Sequence, residues 1–385
     1  MTTTTTLAPL VITGCGVVSP AGVGLEALAD MVNGTVNGTV NGTVNGIEGG
    51  HQPGEAELEA IGGEFPPVPL AATPDFRAEE HLEGKGVRSL DRTTRLALVA
   101  SALALSGLGT PLADRDRART GVVMGTSTGS VRSSSEFSRE TLVREKPYLV
   151  RANHFPPSVM NFCASQIAIR NSLRGVNATI ADGRISGLAA VRYARNAIAQ
   201  GHVDRALVGA VEELCPQSAW GWYLSDALAR DAAVGEGAAV FVVETPEGAA
   251  ASGRTPLAEL LACEVGTMGM SGLRRGMAVC VGRALERSGV SAESITTVSL
   301  GATGLRGLRA AEEDGVRAAL GGLPPHRIRT ADVMGESFSA SGSLQIAALL
   351  AAWRPRDGAV GPVALVTSVG DDGNVGCLVV RRAAS

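Results

Sequence analysis

Aromatic residues are scarce in this chain, at 3% of 385 residues, and blocks of basic residues are missing. Lys and Arg number 34 against 38 Asp and Glu, which gives a formal net charge of −4. Proteins that bind nucleic acid usually present clustered positive charge, because contacts to phosphates dominate their affinity. The even spread of charge therefore argues against nucleic acid as a partner.

Paired cysteines and long apolar runs are missing as well. The six cysteines stand singly, without C-x-x-C spacing, so the pattern favours neither a zinc site nor a disulfide framework. No window holds 18 uninterrupted apolar residues, and the Thr-rich start lacks the basic residues of a secretory signal. We therefore expect no metal site, no membrane partner and a reduced, cytoplasmic location.

The composition that is present predicts a folded α/β protein. Hydrophobic residues make up 45% of the chain and charged residues 19%, which excludes long disorder. Short apolar runs such as 120–125 and 204–211 predict strands, whereas 186–200 and 273–288 have the spacing and length of helices. Strands that alternate with helices favour parallel β-α-β units. The 49 glycines, together with abundant alanine, favour close packing of helices on sheets.

The order of these segments predicts an internal duplication. The run TGVVMG at 120–125 and the run TTVSLG at 296–301 occupy similar places in the two halves of the chain. We place the halves at 1–247 and 248–385.

A four-residue unit, Val-Asn-Gly-Thr, repeats three times from Val32 and ends in Val-Asn-Gly. Asn-Gly steps favour turns, and Gly-rich repeats bury little apolar surface. The repeat therefore predicts a mobile surface loop over 32–50.

Several motifs occur in an order that points to one family. They are VITGCGVVSP from Val11, LDR from Leu90, RTGVVMGT from Arg119, LRG from Leu173 and GEGA from Gly235. Together they resemble the β-ketoacyl synthases of the thiolase superfamily, over about 10–381. The resemblance implies a thiolase-like fold of duplicated β-α-β halves in a layered αβαβα architecture, without a cofactor.

The resemblance also implies which residues should carry the chemistry. In the family, a Cys at a helix N-terminus accepts the acyl chain, and two His residues assist decarboxylation and hold the enolate oxygen. Nine residues after Gly175, the Cys position holds Arg184, and the two His positions hold Gly301 and Glu336. A guanidinium, with a pKa above about 12, cannot accept an acyl group. We expect no condensation by this chain.

Synthase-like chains without the nucleophile resemble the chain length factors of type II polyketide systems. Such a factor pairs with an active ketosynthase in a heterodimer, shapes the tunnel in which the chain grows, and meets the acyl carrier protein through the ketosynthase. The factors more often carry Gln at the Cys position, so Arg184 is a departure from their pattern.

Two sets of residues match interface or tunnel positions of that family. The helix that matches 158–173 lies at the family's dimer interface, and its candidate contacts are Met160, Phe162 and Cys163. The candidates for the tunnel lining are Val131, Ser134 and Ser138. The first set is equally typical of core helix residues, and the second of a solvated Ser-rich segment.

Arg184 and Glu336 should converge, since the Cys and His that they replace converge. We hypothesise a buried ion pair between them, joined by Asp182 or Asp371; the alternative is that each faces water. The sequence GDDG from Gly370 replaces the family's Gly-Phe-Gly-Gly gating turn.

Two other functions remain open at this point. A polar pocket made of Arg184, Glu336, Asp182, Asp371 and Asp372 would suit an enzyme of altered chemistry, because paired carboxylate and guanidinium groups bind anions or move protons. A homodimeric scaffold without a ketosynthase partner is the other alternative.

Overall fold

The computed structural model describes residues 7–36, 53–83, 86–302, 304–354 and 360–384, in which strands and helices alternate. The strands are β1 (Leu10–Ser19), β2 (Gly22–Val23), β3 (Leu70–Ala71), β4 (Thr120–Gly125), β5 (Asn177–Ile180), β6 (Arg205–Glu212), β7 (Val234–Gly235), β8 (Gly237–Glu244), β9 (Ala258–Thr267), β10 (Thr297–Ser299), β11 (His326–Ile328), β12 (Val363–Val369) and β13 (Asn374–Arg382). The helices are α1 (Leu25–Val36), α2 (Glu55–Ile61), α3 (Arg92–Ser106), α4 (Asp114–Ala118), α5 (Val131–Val143), α6 (Phe162–Asn171), α7 (Ser186–Ala199), α8 (Pro216–Ser225), α9 (Pro246–Ala251), α10 (Leu273–Ser288), α11 (Leu308–Leu320), α12 (Thr330–Met334) and α13 (Ser341–Ala352).

The main sheet is built from two halves with the same strand order. From β1 outward, the neighbours β8, β6, β4 and β5 pair antiparallel, antiparallel, parallel and parallel. From β9 outward, β13, β12, β10 and β11 repeat that series. The halves meet where Leu10 of β1 pairs with Leu260 of β9. This repetition confirms the predicted duplication, and the boundary at residue 247 stays a prediction.

The helices form three layers around the two sheet halves. Helices α7 and α13 contact each other in the centre, with α7 on β6 and β4 and α13 on β12. Helices α3 and α6 cover the first half, and α10 and α11 cover the second. The layered αβαβα architecture expected from the sequence is therefore confirmed.

Glycines allow the outer helix α3 to lie unusually close to β1. A Cβ atom built on Gly14 would lie 2.2 Å from the carbonyl oxygen of Ala104, and one built on Gly16 would lie 2.0 Å from that of Ala100. Carbon and oxygen atoms do not approach to these distances, so any larger residue would push the helix off the sheet. The close packing predicted from the glycine content is present here.

Two predictions about local structure need correction. Helix α1 continues to Val36, so its last five residues fall in the stretch predicted as a loop, because Val32 is buried in the core and packing extends the helix. The rest of the repeat, from 37 onward, lies outside the described residues. The helix expected over 158–173 is shorter: a 3-10 turn at Pro156–Ser158 comes first, and α6 begins only at Phe162.

No helix in the described part of the chain is both long enough and apolar enough to cross a bilayer.

Candidate functional site

The site lies where the N-terminal ends of α7 and α13 approach the end of β10. Arg184 sits in a 3-10 turn, Gly183–Ile185, that leads from β5 into α7. Glu336 follows α12 and precedes α13, and its backbone is held by Ala233 and Gly235. Gly301 comes two residues after the last residue of β10. The fold therefore brings the three positions together from segments that are far apart in the sequence.

Arg184 and Glu336 form a bidentate ion pair. Nε of Arg184 donates to Oε1 of Glu336 at 3.0 Å, and Nη2 donates to Oε2 at 2.8 Å. Both side chains have 0% exposure to solvent. Parallel N–H to oxygen bonds of this kind are among the strongest that proteins make. The ion pair hypothesised from the sequence is confirmed, and the alternative that each residue faces water is wrong.

The remaining hydrogen-bonding capacity of the pair is also used. Arg184 donates to the carbonyl oxygen of Gly301 and, at 3.3 Å, to the hydroxyl of Ser368. Glu336 Oε1 accepts from the backbone N–H of Phe338 at 2.9 Å and from the hydroxyl of Ser341 at 3.0 Å. Since burial of charge is tolerated only when the ions are paired and hydrogen-bonded, these bonds explain how two charged side chains can be stable without exposed surface.

Glu312 of α11 is a second buried carboxylate at the site, and the sequence analysis missed it. Its oxygens accept from the backbone N–H groups of Gly301 at 3.0 Å and Ala302 at 2.8 Å, and from the hydroxyl of Thr367 at 2.8 Å. Burial raises the pKa of Glu312, while these hydrogen bonds and the nearby charge of Arg184 oppose that shift. The signal that could have found it is the position of Glu312 on the buried face of α11, four residues after Leu308.

Gly301 leaves the space that the guanidinium of Arg184 fills. A Cβ atom built on Gly301 would lie 2.8 Å from Nη1 of Arg184 and 2.8 Å from the carbonyl oxygen of Thr367. Neither distance is compatible with van der Waals contact, so Arg184 and a side chain at 301 exclude each other. The loss of one family histidine is therefore physically linked to the replacement of the family cysteine.

We expect Gly301→Ala to lower the free energy of unfolding by about 1–3 kcal/mol, because the methyl group overpacks a site closed by backbone and by an ion pair. Urea denaturation measures the change. Gly282→Ala is the matched control, since Gly282 lies in α10 with open space around its Cβ position. There the substitution should raise stability by about 0.5–1 kcal/mol through helix propensity. Equal effects at both glycines would contradict the steric account.

The three aspartates expected near Arg184 do not join its ion pair. Asn374 bridges Asp182 and Asp372, with its Nδ2 donating at 2.8 Å and 2.9 Å. Burial and the charge of Asp372 raise the pKa of Asp182. Asp371 is exposed. The predicted participation of Asp182 or Asp371 is wrong, because Glu336 and the backbone already saturate the guanidinium.

The residues expected to line a tunnel or an interface differ in how much of each side chain is exposed to solvent. Val131 and Ser134 of α5 are half-buried, and Ser138 is exposed. Met160 is 47% exposed and Phe162 is half-buried. Helix α5 lies against the stretch before α6, since Ser134 Oγ donates to the carbonyl oxygen of Ser158 at 3.3 Å.

Cys163 differs from its neighbours because it is a core residue of this chain. Its side chain is 3% exposed and packs in the apolar cluster of α3, with Leu96 and Ile167. Burial raises the pKa of the thiol to about 12. The sequence allowed Cys163 to be either an interface contact or a core helix residue. The structure shows a core residue, which presents no surface to a partner.

The family model described as "Beta-ketoacyl synthase, N-terminal domain" matches residues 8–249, more than half of the chain. The chain belongs to the β-ketoacyl synthase family. The resemblance inferred from the motifs is therefore confirmed.

Relatives within the synthase family include components of polyketide pathways. The chain is 27% identical over 340 residues to the tetracenomycin polyketide synthase ketoacyl synthase beta subunit of Streptomyces glaucescens, covering 82% of this chain and 78% of that protein. It is 28% identical over 324 residues to 3-oxoacyl-(acyl-carrier-protein) synthase 2 of Rhizobium meliloti (strain 1021), covering 75% and 73%. A solved structure described as the ishigamide ketosynthase/chain length factor matches with a TM-score of 0.80 and 32% identity, over 98% of this chain and 100% of that one. This synthase-family chain is thus similar both to a polyketide ketoacyl synthase beta subunit and to a ketosynthase/chain length factor.

Proposed function

We propose that this chain is a non-condensing subunit, a chain length factor, that pairs with an active ketosynthase and shapes the tunnel for a polyketide or polyene chain. The observation that carries the proposal is the closed Arg184–Glu336 pair. It occupies the volume in which a nucleophile and an acyl group would have to meet, and it offers neither a thiolate nor an imidazole. A catalytic role needs a group that reaches the substrate.

The burial of the Arg184–Glu336 pair also argues against an enzyme of altered chemistry. Acid or base work requires that a substrate atom come within hydrogen-bond distance of the carboxylate or guanidinium. Arg184 and Glu336 have no exposed surface, and Glu312 is 0% exposed as well. Arg184 and Glu336 are instead bonded to each other, and Arg184 also donates to Gly301 and Ser368. The cluster therefore suits a structural role.

An apolar surface next to an open sheet edge supports pairing with another chain. Strand β5 ends its half of the sheet, so one side of it has no strand partner among the described residues. Beside it, α5, α6 and the segment between them expose large apolar side chains. The fractions exposed are 84% for Leu142, 72% for Tyr148, 57% for Phe155, 47% for Met160 and 70% for Ile169. We name these five residues the α5–α6 surface; large apolar side chains exposed together beside an unpaired strand are typical of interaction sites.

The partner would be an intact ketosynthase, which supplies the missing Cys and His residues and receives acyl groups from the carrier protein. Val131 and Ser134, half-buried beside this surface, would then contribute to the tunnel wall with Ser138. The similarity to the ishigamide ketosynthase/chain length factor agrees with this assignment.

The test is co-expression with such a ketosynthase, purification of either chain by a tag, and analysis of products with and without this subunit. We expect one copy of each chain in the complex by native mass spectrometry, and a defined chain length only when both are present. Acyl turnover by this chain alone would contradict the proposal, and a homodimer that ignores the ketosynthase would favour a solitary scaffold.

We expect Met160→Asp to weaken co-purification with the ketosynthase at least tenfold, because the change places a charge in an apolar contact that excludes water. Pull-down yield and a titrated affinity measure it. Leu257→Asp is the matched control: Leu257 is 41% exposed just before β9, in the second half of the chain and away from α5 and α6. Equal loss for both variants, or no loss for Met160→Asp, would show that this surface is not the interface.

A further inference from the structure

A second buried arginine of α7 lacks an acidic partner. Arg195 is only 6% exposed, and it donates to the carbonyl oxygens of Ala8, Leu260 and Leu261. Its Nε–H has no hydrogen-bond partner within the described residues, and no carboxylate there forms an ion pair with it. Burial lowers the pKa of this guanidinium from its ordinary value. Carbonyl oxygens rather than a directly paired carboxylate therefore surround its positive charge, in contrast to that of Arg184.

Arg195 lines a cavity of about 410 Å³ between the segment 7–10, the C-terminal half of α7 and the start of α9. Two more arginines, Arg192 and Arg287, line the same cavity. The carboxylate of Glu264 is bonded to Arg287 at 2.8 Å, and Glu247 at the rim is exposed. Three guanidinium groups against two carboxylates leave the cavity with a positive excess.

The other walls of the cavity are mostly apolar. They include Leu7, Pro9, Leu10, Ile198 and Pro246, and the polar residues Asn196 and Thr245 also line the cavity. An inorganic anion would pair with the guanidinium groups, but the apolar side chains of the cavity would remain in contact with water. A carboxylate with an apolar body satisfies both, because it can form charge-assisted bonds with a guanidinium while its hydrocarbon leaves water. The volume is within the range of small-molecule sites, about 300–1,000 Å³.

We propose that this cavity is a binding site for a medium-chain alkanoate, with the carboxylate at Arg195 and Arg192 and the hydrocarbon against the apolar walls. The site is separate from the Arg184–Glu336 pair, since Arg184 lies before α7 and Arg195 follows Ser186 by nine residues of that helix, which correspond to roughly 14 Å. It is independent of the proposed chain length role, because it needs no partner chain.

Isothermal titration of the full chain with octanoate tests the site, with inorganic phosphate as the charge-only probe and octanol as the apolar-only probe. We expect saturable binding of octanoate, and binding at least tenfold weaker for both other probes. Arg195→Met should weaken octanoate binding at least tenfold. Arg283→Met is the matched control on exposed α10 surface and should bind as the native chain does.

Arg195→Met also removes the hydrogen bonds to three carbonyl oxygens, which could unfold the chain. A second variant therefore keeps Arg195 and changes the cavity instead. Ala199 is exposed at the end of α7 and lines the cavity, so Ala199→Phe should fill the cavity and weaken octanoate binding without removing a hydrogen bond. No binding of octanoate, phosphate that binds as tightly as octanoate, or octanoate binding unchanged in Ala199→Phe would overturn the proposal.

Discussion

Glu336→Ala should lower the free energy of unfolding by about 3–5 kcal/mol, because it leaves the guanidinium of Arg184 buried without its counter-ion. Two charge-assisted hydrogen bonds are lost at once, and Phe338 N–H and the Ser341 hydroxyl lose their acceptor. The site has no exposed surface through which water could replace the carboxylate. Chemical denaturation followed by circular dichroism gives the change.

An exposed ion pair of the same chemistry is the control for this measurement. Glu26 contacts Arg354 at 3.3 Å with side-chain exposures of 88% and 46%, and Glu26→Ala should cost at most about 1 kcal/mol. The double variant Arg184→Met/Glu336→Met should recover at least half of the loss, since an apolar pair removes the unpaired charge. If Glu336→Ala costs no more than Glu26→Ala, the buried pair is not what holds the site together.

Arg184→Cys should yield no condensation and no acyl-enzyme turnover above background, even in complex with a ketosynthase partner whose own cysteine is inactivated. A nucleophilic cysteine needs a lowered pKa and a base or cation beside it. The new thiol would instead face the carboxylates of Glu336 and Glu312, which disfavour the thiolate. The same substitution should destabilise the chain as strongly as Glu336→Ala, because it leaves the buried carboxylate of Glu336 without a counter-ion.

Restoring all three family residues should also fail. In the triple variant Arg184→Cys/Gly301→His/Glu336→His, the Cβ atom at 301 still lies 2.8 Å from the carbonyl oxygen of Thr367, so the imidazole cannot be placed without a backbone shift. Radiolabelled acyl transfer from carrier protein, with the intact ketosynthase as positive control, measures both variants. Acyl transfer by Arg184→Cys alone would contradict the steric and electrostatic reading of the site.

Long elements with a clear pattern were predicted well from the sequence. Helix α10 has the predicted bounds, 273–288, and β4 has the predicted bounds, 120–125. Each combines sufficient length with a consistent burial pattern, so local sequence and packing agree. Short or amphiphilic elements were not predicted. Strand β11 has only three residues and exists through its pairing with β10, and the sequence of α5 is equally typical of a solvated Ser-rich segment.

The candidate site was predicted only in part, because the sequence pattern locates some residues while the contacts of others depend on the tertiary fold. Arg184 and Glu336 were found because motif order specifies their positions. Glu312 was missed because no motif contains it, and its role depends on which strand end α11 packs against. Asp182 and Asp371 were wrongly joined to the pair, since nearness in the family's motifs does not say which acceptors a guanidinium will select.

The sequence by itself determined that the three motif positions of the condensing residues hold neither cysteine nor histidine. The order of the motifs locates these positions, and the residue type at each position decides its reactivity. Only the tertiary structure decided what replaced that chemistry. Arg184 and Glu336 are 152 residues apart, and a bond of 2.8 Å between them exists only after two helix ends have converged. The same convergence leaves Gly301 no room for a side chain, since close-packed interiors assign each volume to one group.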